Sequence, residues 1–567
     1  MRILYPIVLL VLLLTFGCQD KITTVRIAAT TDVHGMIYPH DLVRREPTNH
    51  SLSHIYNYVS EQRKLRDTLF FLLDNGDFLQ GQPTVYYFNF IDTATQHLSS
   101  KVMNYLGYNA GSVGNHDIEA GPNVYNRIRD EFNFPWLAAN AINRETGEPY
   151  FEPYTVLKAG KKRVAVLGLI TPGIPHWLPP NLWPGMEFRD MVETARKWVP
   201  EIMEKEQPDL LIGLFHSGTD ASYGGSTESY MNENAALLVA EQVPGFDVIF
   251  AGHDHRVSAQ WVINSLGDSV LVVDPGSHAR YAGEVTISFR PGDKKSIETK
   301  NVPMSSYEPS GDFQRQFSEE LAQVTNYLDD TITWLTSEIN GLDAIFGPSA
   351  MMSLIHQVQL ELSGAQLSFT APLSLNATLN EGPIRVSDMF KLYRFENMLY
   401  SMELTGTEVD GFLEYAAGLW FSTMTEPTDH LLNFSNDNLG RLANPYYNFS
   451  SAAGIDYTID VTKPAGQRVI IHSFSDGTPF TETDTYLVAL NSYRGNGGGG
   501  HLTKGAGIPQ KELPQRITWS TEIDLRYHIM SSLSEKDTVS PGVSHNWSIL
   551  PEEWVKKAIK NDREYFN

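Results

Sequence analysis

Short apolar runs alternate with helix-like stretches from residue 25 to about residue 289, and this alternation strongly restricts the folds open to the 567-residue chain. The runs are rich in Val, Ile, Leu or Phe and comprise residues 25–31, 69–73, 164–171, 210–215, 248–251, 270–273 and 285–289. Amphipathic stretches such as 52–65 and 192–205 lie between them. Near-continuous apolar strands indicate sheets covered on both faces, so the sequence predicts a layered α/β fold.

The second half of the chain has a different composition. Residues 292–309 are polar and contain Pro303 and Pro309, which predicts a boundary, and a connector helix is expected over residues 311–335. Beyond it we expect helices at 348–362 and 409–418 and strands at 366–373, 400–404, 457–461, 469–474 and 486–490. The predicted division is a signal peptide (1–17), an N-terminal domain (18–305), a linker with a helix (306–339) and a C-terminal domain (340–567).

The chain carries 43 Lys and Arg against 67 Asp and Glu, a formal net charge of −24. Clustered cations hold polymeric nucleic acid, so this charge argues against a nucleic-acid polymer as the partner. A small phosphate ligand needs only local cations and is compatible with the charge. Cys18 is the only cysteine, which excludes an intrachain disulfide and a cysteine-based zinc site and leaves 17 histidines as nitrogen ligands for a metal.

The first 17 residues are typical of a secretory signal peptide. Arg2 supplies a short basic region, and the apolar residues 7–16 are fewer than the roughly 20 that span a bilayer. The segment resembles a bacterial lipoprotein signal, in which the thiol of Cys18 is lipidated; a conventional cleavage site near Cys18 is the alternative. We expect an extracytoplasmic protein, in the periplasm or on the cell surface, held at a membrane only by its lipid.

Side chains that can bind metals follow successive predicted strands, mostly at turns that contain Gly or Ser. In chain order they are Asp32, His34, Asp77, Asn115, His216, His253 and His255. In layered α/β folds, ligands bind at the carboxyl ends of strands, so we expect these side chains to meet. A single D-x-H segment is usually a surface loop, and it is the ordered set that indicates a metal site.

The residue types suit two divalent cations. Carboxylate oxygens, imidazole nitrogens and an amide oxygen favour Mn, Zn, Co, Fe or Mg and leave the identity of the metal open. Alternate residues at a strand end point the same way, so Asp32 and His34 can face one ion, and His253 and His255 share one side of their segment. The Asp77 carboxylate can bridge two ions about 3.5–4 Å apart.

The order D-x-H, G-D, G-N-H-[DE], H and G-H-x-H resembles the signature of calcineurin-like metallophosphoesterases. The versions DNGD, GNHDIEAG and GHDH resemble more closely the bacterial 5′-nucleotidase and 2′,3′-cyclic-nucleotide phosphodiesterase family. FTAPL, LTGTEVDGFL, the run 446–469 and LNSYRGNGGGG resemble the family's nucleotide-binding domain, nearer to its cyclic-phosphodiesterase and 3′-nucleotidase branch. Over residues 25–550, the resemblance implies a four-layer αββα metallophosphoesterase domain, a connector helix and a C-terminal α+β substrate-binding domain.

The resemblance also implies roles at the metal centre. One ion would be held by Asp32, His34, Asp77 and His255, and the other by Asp77, Asn115, His216 and His253. Metal-activated hydroxide would attack phosphorus in line with the leaving oxygen, and His116 would stabilise the transition state or protonate the leaving group. The family pairs this histidine with an aspartate three residues later; this chain has Glu119 there, which leaves the pairing open. His278 is expected near the site but not as a ligand.

In this family two aromatic rings hold the base of the nucleotide. Tyr493 is the first candidate, and Tyr447 is the second, with Tyr446 and Phe449 as competitors. Arg494 and Arg394 are candidate contacts to phosphate or ribose, and ordinary surface charges are the alternative for both. The Asn-Gly-Gly-x-Arg run of 5′-nucleotidases is replaced by FTAPLSLNATLNEG, which favours substrates other than simple 5′-monophosphates.

The function predicted from the sequence is metal-dependent hydrolysis of nucleotide phosphoesters. A 2′,3′-cyclic-nucleotide phosphodiesterase with 3′-nucleotidase activity is the leading interpretation. A 5′-nucleotidase or another phosphomonoesterase of the superfamily is the alternative, and a non-catalytic surface-binding lipoprotein is the third possibility. A substrate panel on metal-reconstituted protein separates them.

Overall fold

The computed structural model describes residues 23–223, 229–290, 294–435 and 438–566. The predicted signal peptide and Cys18 lie outside these residues. Within the described ranges, no helix combines the length and the apolar composition needed to cross a membrane.

Two six-stranded sheets form the N-terminal half. The first consists, in spatial order, of Lys294–Pro303, Tyr281–Arg290, Thr23–Thr30, Thr68–Asp74, Ala110–Ser112 and Trp136–Leu137. The second consists of Val257–Ile263, Ser269–Pro275, Val248–Phe250, Leu210–His216, Lys162–Ile170 and Tyr154–Ala159. The predicted strands between residues 25 and 289 are confirmed, and their central members pair in parallel, as Thr30 with Asp74 and His216 with Ile170 show.

The two sheets pack face to face around a shared apolar core. Ile27 and Leu73 of the first sheet and Val166 and Ile212 of the second are fully buried in it. Helices Leu52–Gln62, Leu98–Leu106 and Pro122–Glu131 cover the outer face of the first sheet. Helices Met191–Glu206 and Ala236–Gln242 cover that of the second. The order of layers is helix, sheet, sheet, helix, so the predicted αββα architecture is confirmed.

The polar segment at 292–309 is not simply a boundary, which corrects the sequence prediction. Lys294–Pro303 is an edge strand of the first sheet and pairs only with Tyr281–Arg290 among the described strands. Edge strands expose one side to water and favour charged residues, so their sequences lack an apolar run. The outer strands Val257–Ile263 and Tyr154–Ala159 were missed for the same reason.

The connector also differs from the prediction of one helix over 311–335. Two helices, Gly311–Gln316 and Ser318–Asp329, meet at a non-helical Phe317. The β-branched segment Thr331–Leu335 is a strand that pairs with Gly382–Arg385 and Thr538–Val539, and therefore belongs to the C-terminal half.

The C-terminal half is built on a five-stranded sheet with the order Ser451–Ala453, Leu367–Thr370, Thr485–Asn491, Leu399–Thr405 and Ile517–Ser520. A three-stranded sheet joins Val469–Phe474, Ile455–Asp460 and Trp547–Leu550. The larger helices are Ala350–Ser363, Val386–Leu392, Gly406–Trp420, Leu525–Ser534 and Glu552–Arg563. Short helices occur at Pro83–Tyr86, Asn115–Glu119, Ser492–Gly495 and Leu513–Arg516. Two-stranded ribbons pair His40–Asp41 with Glu46–Pro47, Ala141–Asn143 with Met186–Phe188, Ile339–Asn340 with Thr378–Leu379, and Phe434–Ser435 with Asn438–Leu442.

Candidate metal centre and substrate cleft

The predicted ligand residues meet at one end of the two sheets. Asp32 and His34 follow strand Thr23–Thr30, and Asp77 follows the parallel strand Thr68–Asp74. His216 ends strand Leu210–His216, and His253 and His255 follow Val248–Phe250. Parallel strands place their carboxyl ends at one edge, which is why ligands far apart in sequence converge.

The first group of potential ligands contains Asp32, His34 and His255, whose ligand atoms lie within 4.8 Å of one another. His34 Nε2 is 3.0 Å from His255 Nε2, and His255 Nε2 is 3.3 Å from Asp32 Oδ1. Two imidazole nitrogens and a carboxylate oxygen aimed at one point form a donor set that suits a borderline divalent cation.

The second group contains Asp77, His216 and His253, again with ligand atoms within 4.8 Å of one another. His216 Nε2 lies 3.1 Å from Asp77 Oδ2 and 3.2 Å from Asn115 Oδ1. The amide of Asn115 therefore joins this group. Asp77 also interacts electrostatically with His34 of the first group, so it is the carboxylate placed to serve both groups.

Backbone carbonyls orient two of the imidazole rings. His34 Nδ1 is 3.1 Å from the carbonyl oxygen of Gln80, and His216 Nδ1 is 2.7 Å from that of Asn75. A proton held on Nδ1 by these carbonyls leaves Nε2 free to bind a cation.

The backbone is strained at the ligand positions. Asp32, His34, Asp77, His253 and His255 have φ values of 50°, 50°, 58°, 76° and 59°. Side-chain-bearing residues rarely adopt this left-handed region, and such strain persists where the surrounding structure fixes the conformation for function.

Burial and neighbouring charges set the protonation of the ligands. Burial lowers the pKa of His34 to about 4, and burial together with His216 lowers the pKa of His253 to about 4. Burial raises the pKa of Asp32, but His216 and His255 outweigh it and hold the pKa below its usual range. Neutral His34 and His253 and ionised Asp32 are the forms that bind metals.

The other two histidine ligands are shifted the opposite way. Burial favours the neutral ring of His216, but the carboxylates of Asp77 and Asp32 outweigh it and raise the pKa to about 9. At His255, Asp32 likewise outweighs burial and raises the pKa. A cation bound at either ring would therefore displace a proton.

His116 and Glu119 form a hydrogen-bonded pair beside the second group, between His116 Nδ1 and Glu119 Oε2. Burial favours the neutral ring, but the carboxylates of Asp77 and Glu119 outweigh it and raise the pKa of His116 to about 10. The ring centroid of His116 is 5.5 Å from that of His34. The longer glutamate thus reaches the position where the family has an aspartate.

Asp117 has a role that the sequence analysis missed. Its carboxylate accepts hydrogen bonds from the backbone N–H groups of Gly114, Asp77, Phe78 and Leu79, at 2.8 to 3.0 Å. It therefore ties the loop that carries Asn115 to the loop that carries Asp77. The segment is a short helix, Asn115–Glu119, rather than extended chain.

His278 lies beside the first group, as expected. Its ring centroid is 5.3 Å from that of His34, and its backbone N–H donates to the carbonyl oxygen of Asp32 at 2.7 Å. It is in neither group of potential ligands.

Comparison with known proteins assigns both halves of the chain. Residues 25–257 match the family model of the calcineurin-like phosphoesterases, and residues 331–504 match that of the 5′-nucleotidase C-terminal domain. The chain therefore combines a calcineurin-like phosphoesterase domain with a 5′-nucleotidase C-terminal domain. Its N-terminal half is the phosphoesterase domain, and the chain is a hydrolase that acts on phosphoester bonds. Calcineurin-like phosphoesterases use divalent metal ions, and the donor set described above fits such ions.

Relatives of similar architecture cover almost the whole chain. A trifunctional nucleotide phosphoesterase, YfkN of Bacillus subtilis, is 26% identical over 93% of this chain, which spans 39% of the relative's length. A 2′,3′-cyclic-nucleotide 2′-phosphodiesterase/3′-nucleotidase of Haemophilus influenzae is 25% identical over 93% of this chain and 87% of its own. The crystal structure of a putative 5′-nucleotidase from Staphylococcus aureus shares the fold, with a TM-score of 0.77, 24% identity and coverage of 93% and 99% of the two chains.

A cleft of about 390 Å³ adjoins the metal-ligand groups. His253 and His255 lie in its wall, and Tyr447 of the nucleotidase-type C-terminal domain also lines it. Trp177, Asp220, Tyr223, Glu233, Asn234, Asp254 and Arg256 complete the lining. The phosphoesterase domain and the C-terminal domain thus share one cavity beside the ligands.

Tyr493 and Tyr447 are electrostatic neighbours of each other, but only Tyr447 is among the residues that line the cleft. The ring of Tyr493 packs against Gly498, where an added Cβ would lie 2.5 Å from Tyr493 Cε2. The competing Tyr446 is half-buried, and Phe449 is fully buried, packed on Trp420.

Arg494, a candidate contact to phosphate or ribose, is neither on the surface nor among the residues that line the cleft. It is only 5% exposed, and its guanidinium donates to the carbonyl oxygens of Gly498 and Tyr447 at 2.6 and 2.8 Å. Burial lowers its pKa to about 10. The Gly-rich loop leaves room for this arginine, because a Cβ on Gly499 would lie 2.1 Å from Arg494 Nη1. Arg394 is exposed, and no described residue pairs with it.

Proposed function

We propose that the protein hydrolyses nucleotide phosphoesters, with 2′,3′-cyclic nucleotides and nucleoside 3′-phosphates as its preferred substrates. The observation that carries the proposal is the juxtaposition of two metal-ligand groups, linked through Asp77, with a cleft that is partly lined by Tyr447. The first would supply the phosphoester chemistry beside the cleft, and the second contributes an aromatic side chain to the cleft wall. The Haemophilus relative's name supports the choice of substrate.

Two divalent ions would occupy the centre. Asp32, His34, Asp77 and His255 would hold one, and Asp77, Asn115, His216 and His253 the other. When bound, they supply Lewis-acid activation of water and positive charge for the phosphate oxygens. The assignment of ligands to each ion rests on the family resemblance and on the distances between the ligand atoms. The division of the chain into domains rests on the same resemblance.

His116 is the proposed proton donor to the leaving oxygen. Its Nδ1 is engaged by Glu119, so Nε2 is the atom left to hold the proton. Glu119 fixes the ring and favours its charged form, which an anionic transition state needs. Asp117 fixes the loop of Asp77 relative to the loop of Asn115, because its carboxylate accepts hydrogen bonds from the backbone of both loops.

Tyr447 and Tyr493 are the proposed contacts of the base. Stacking on an aromatic ring contributes about 1–3 kcal/mol per base and accepts any base, so broad base specificity is expected. Arg494 is proposed to position the two tyrosines. Its guanidinium donates to the carbonyl oxygen of Tyr447 and to that of Gly498, the residue of the Gly-rich loop on which Tyr493 packs. Arg394, in the C-terminal domain, remains a candidate contact to the phosphate of the substrate.

Location outside the cytoplasm with a lipid on Cys18 is also proposed, from the N-terminal sequence alone. Incorporation of labelled fatty acid into the wild type, and its loss in Cys18→Ser, would support it. A Cys18→Ser variant that still takes up the label contradicts lipidation at this thiol.

A 5′-nucleotidase is the second candidate, because residues 331–504 match the C-terminal domain of that family. The rates at which metal-reconstituted protein consumes 2′,3′-cAMP, 3′-AMP and 5′-AMP distinguish the two candidates. We expect kcat/KM for the first two to exceed that for 5′-AMP by more than about tenfold, or roughly 1.4 kcal/mol. The reverse order makes the chain a 5′-nucleotidase, and hydrolysis of none of the three contradicts the proposed nucleotide substrates.

A further inference from the structure

Trp177 lies in the cleft of the phosphoesterase domain, yet its sequence context indicates no function. It follows strand Lys162–Ile170 and the short turn Ile174–His176, on the loop that leaves this strand at its ligand-bearing end. The side chain is half-buried and lines the cleft.

Three contacts fix the position of Trp177. Its indole lies against Gly173, where an added Cβ would be 2.5 Å from Trp177 Cη2. Its ring centroid is 5.5 Å from that of His253, with the rings tilted by 30°. Its carbonyl oxygen accepts a hydrogen bond of 3.1 Å from Asn496 Nδ2 of the C-terminal domain. The backbone of Trp177 is therefore bound to the Gly-rich loop, while its indole packs on Gly173 and beside the ring of His253.

The rest of the cleft explains what this surface can bind. Tyr447 is the cleft's aromatic contribution from the C-terminal domain, whereas Asp220, Glu233 and Arg256 line it with charge. Phosphate oxygens need cations and hydrogen-bond donors, which an indole face does not offer. A ribose or a base offers the flat or apolar surface that stacks on an aromatic ring.

We propose that Trp177 is a specificity-determining residue that forms the phosphoesterase-domain wall of the nucleoside site, in the cleft that Tyr447 also lines. The inference rests on the proposed function and deepens it, because it assigns part of nucleoside recognition to the domain that carries the metal ligands. Substrates without a nucleoside gain nothing from this wall.

Product inhibition separates this role from a structural one. Adenosine probes the nucleoside site, and inorganic phosphate probes the metal centre, so both inhibition constants are measured in the hydrolysis of 3′-AMP. We expect Trp177→Leu to raise the inhibition constant of adenosine about 10- to 100-fold and to change that of phosphate less than about threefold. Trp177→Phe, which keeps an aromatic face, should recover most of the adenosine affinity.

Trp183→Leu is the matched control. Trp183 lies on the same loop, is 8% exposed, and donates from Nε1 to the carbonyl oxygen of Leu178 at 3.1 Å. Its replacement disturbs the loop without removing the wall, so it should leave the ratio of the two inhibition constants unchanged.

Two results overturn the inference. If Trp177→Leu shifts both constants in parallel, or neither, Trp177 does not recognise the nucleoside while the proposed function stands. If the wild type releases no phosphate from 3′-AMP or from 2′,3′-cAMP, the proposed function fails and the inference falls with it.

Discussion

The metal-ligand end of the phosphoesterase domain and the cleft above it are built differently. The ligands come from loops that leave adjacent strands, and Asp32, Asp77 and His216 are each at most 1% exposed. The cleft is lined by half-buried residues of both domains, such as Trp177 and Tyr447. The difference indicates that chemistry is fixed within one domain, whereas recognition depends on how two domains meet.

The largest expected effect is at Asp77, which links the two ligand groups. Asp77→Ala removes the shared carboxylate, so we expect less bound metal and a loss of activity on the order of 10³-fold, from several kcal/mol of transition-state stabilisation. Metal analysis of the purified variant and its phosphate release check this. Full metal content with normal turnover would remove Asp77 from the centre.

His116 ranks next, because it is proposed to act on the leaving group rather than to hold metal. His116→Ala should lower kcat about 10²- to 10⁴-fold, with the metal content unchanged. Glu119→Gln keeps the size of the side chain but removes the charge beside His116 Nδ1. It should therefore lower kcat less than His116→Ala does. Equal metal loss in both variants would show that the pair is structural.

Replacing Asp117 tests whether the loops of Asp77 and Asn115 need its hydrogen bonds to hold the metal ligands in position. Asp117→Asn replaces an acceptor of four backbone N–H groups with an amide that accepts with one oxygen only. We expect metal affinity to fall about 10- to 100-fold, measured by titration of the metal-free protein. Wild-type affinity would mean that the strands alone position Asp77.

The smallest effect is expected on the cleft side. Tyr447→Leu should weaken nucleotide binding by about 1–3 kcal/mol, visible as a higher KM for 3′-AMP with metal content and thermal stability unchanged. Tyr447→Phe is the control, since it keeps the ring. If Tyr447→Leu instead lowers metal content, recognition and chemistry are not divided between the two regions.

The sequence analysis predicted the layered fold and the ligand set because both depend on local signals: apolar runs, and ligand residues at the ends of those runs. The edge strand Lys294–Pro303 was missed because its sequence is mostly polar and contains no apolar run. Arg494 was a candidate contact to phosphate or ribose, because no local pattern shows that its guanidinium folds back onto the carbonyl oxygen of Gly498. Trp177 and Asp117 were missed for a similar reason, since their contacts come from loops or domains distant in sequence.

The central claim is that two cations, held by ligand groups that share Asp77, drive the hydrolysis of nucleotide phosphoesters. The most direct test is to add Mn²⁺ stepwise to metal-free protein while measuring bound metal and the rate at which 2′,3′-cAMP is consumed in the same samples. We predict that activity rises to its maximum at about two ions per chain. Maximal activity at one ion per chain, or no activity when two are bound, would contradict this account.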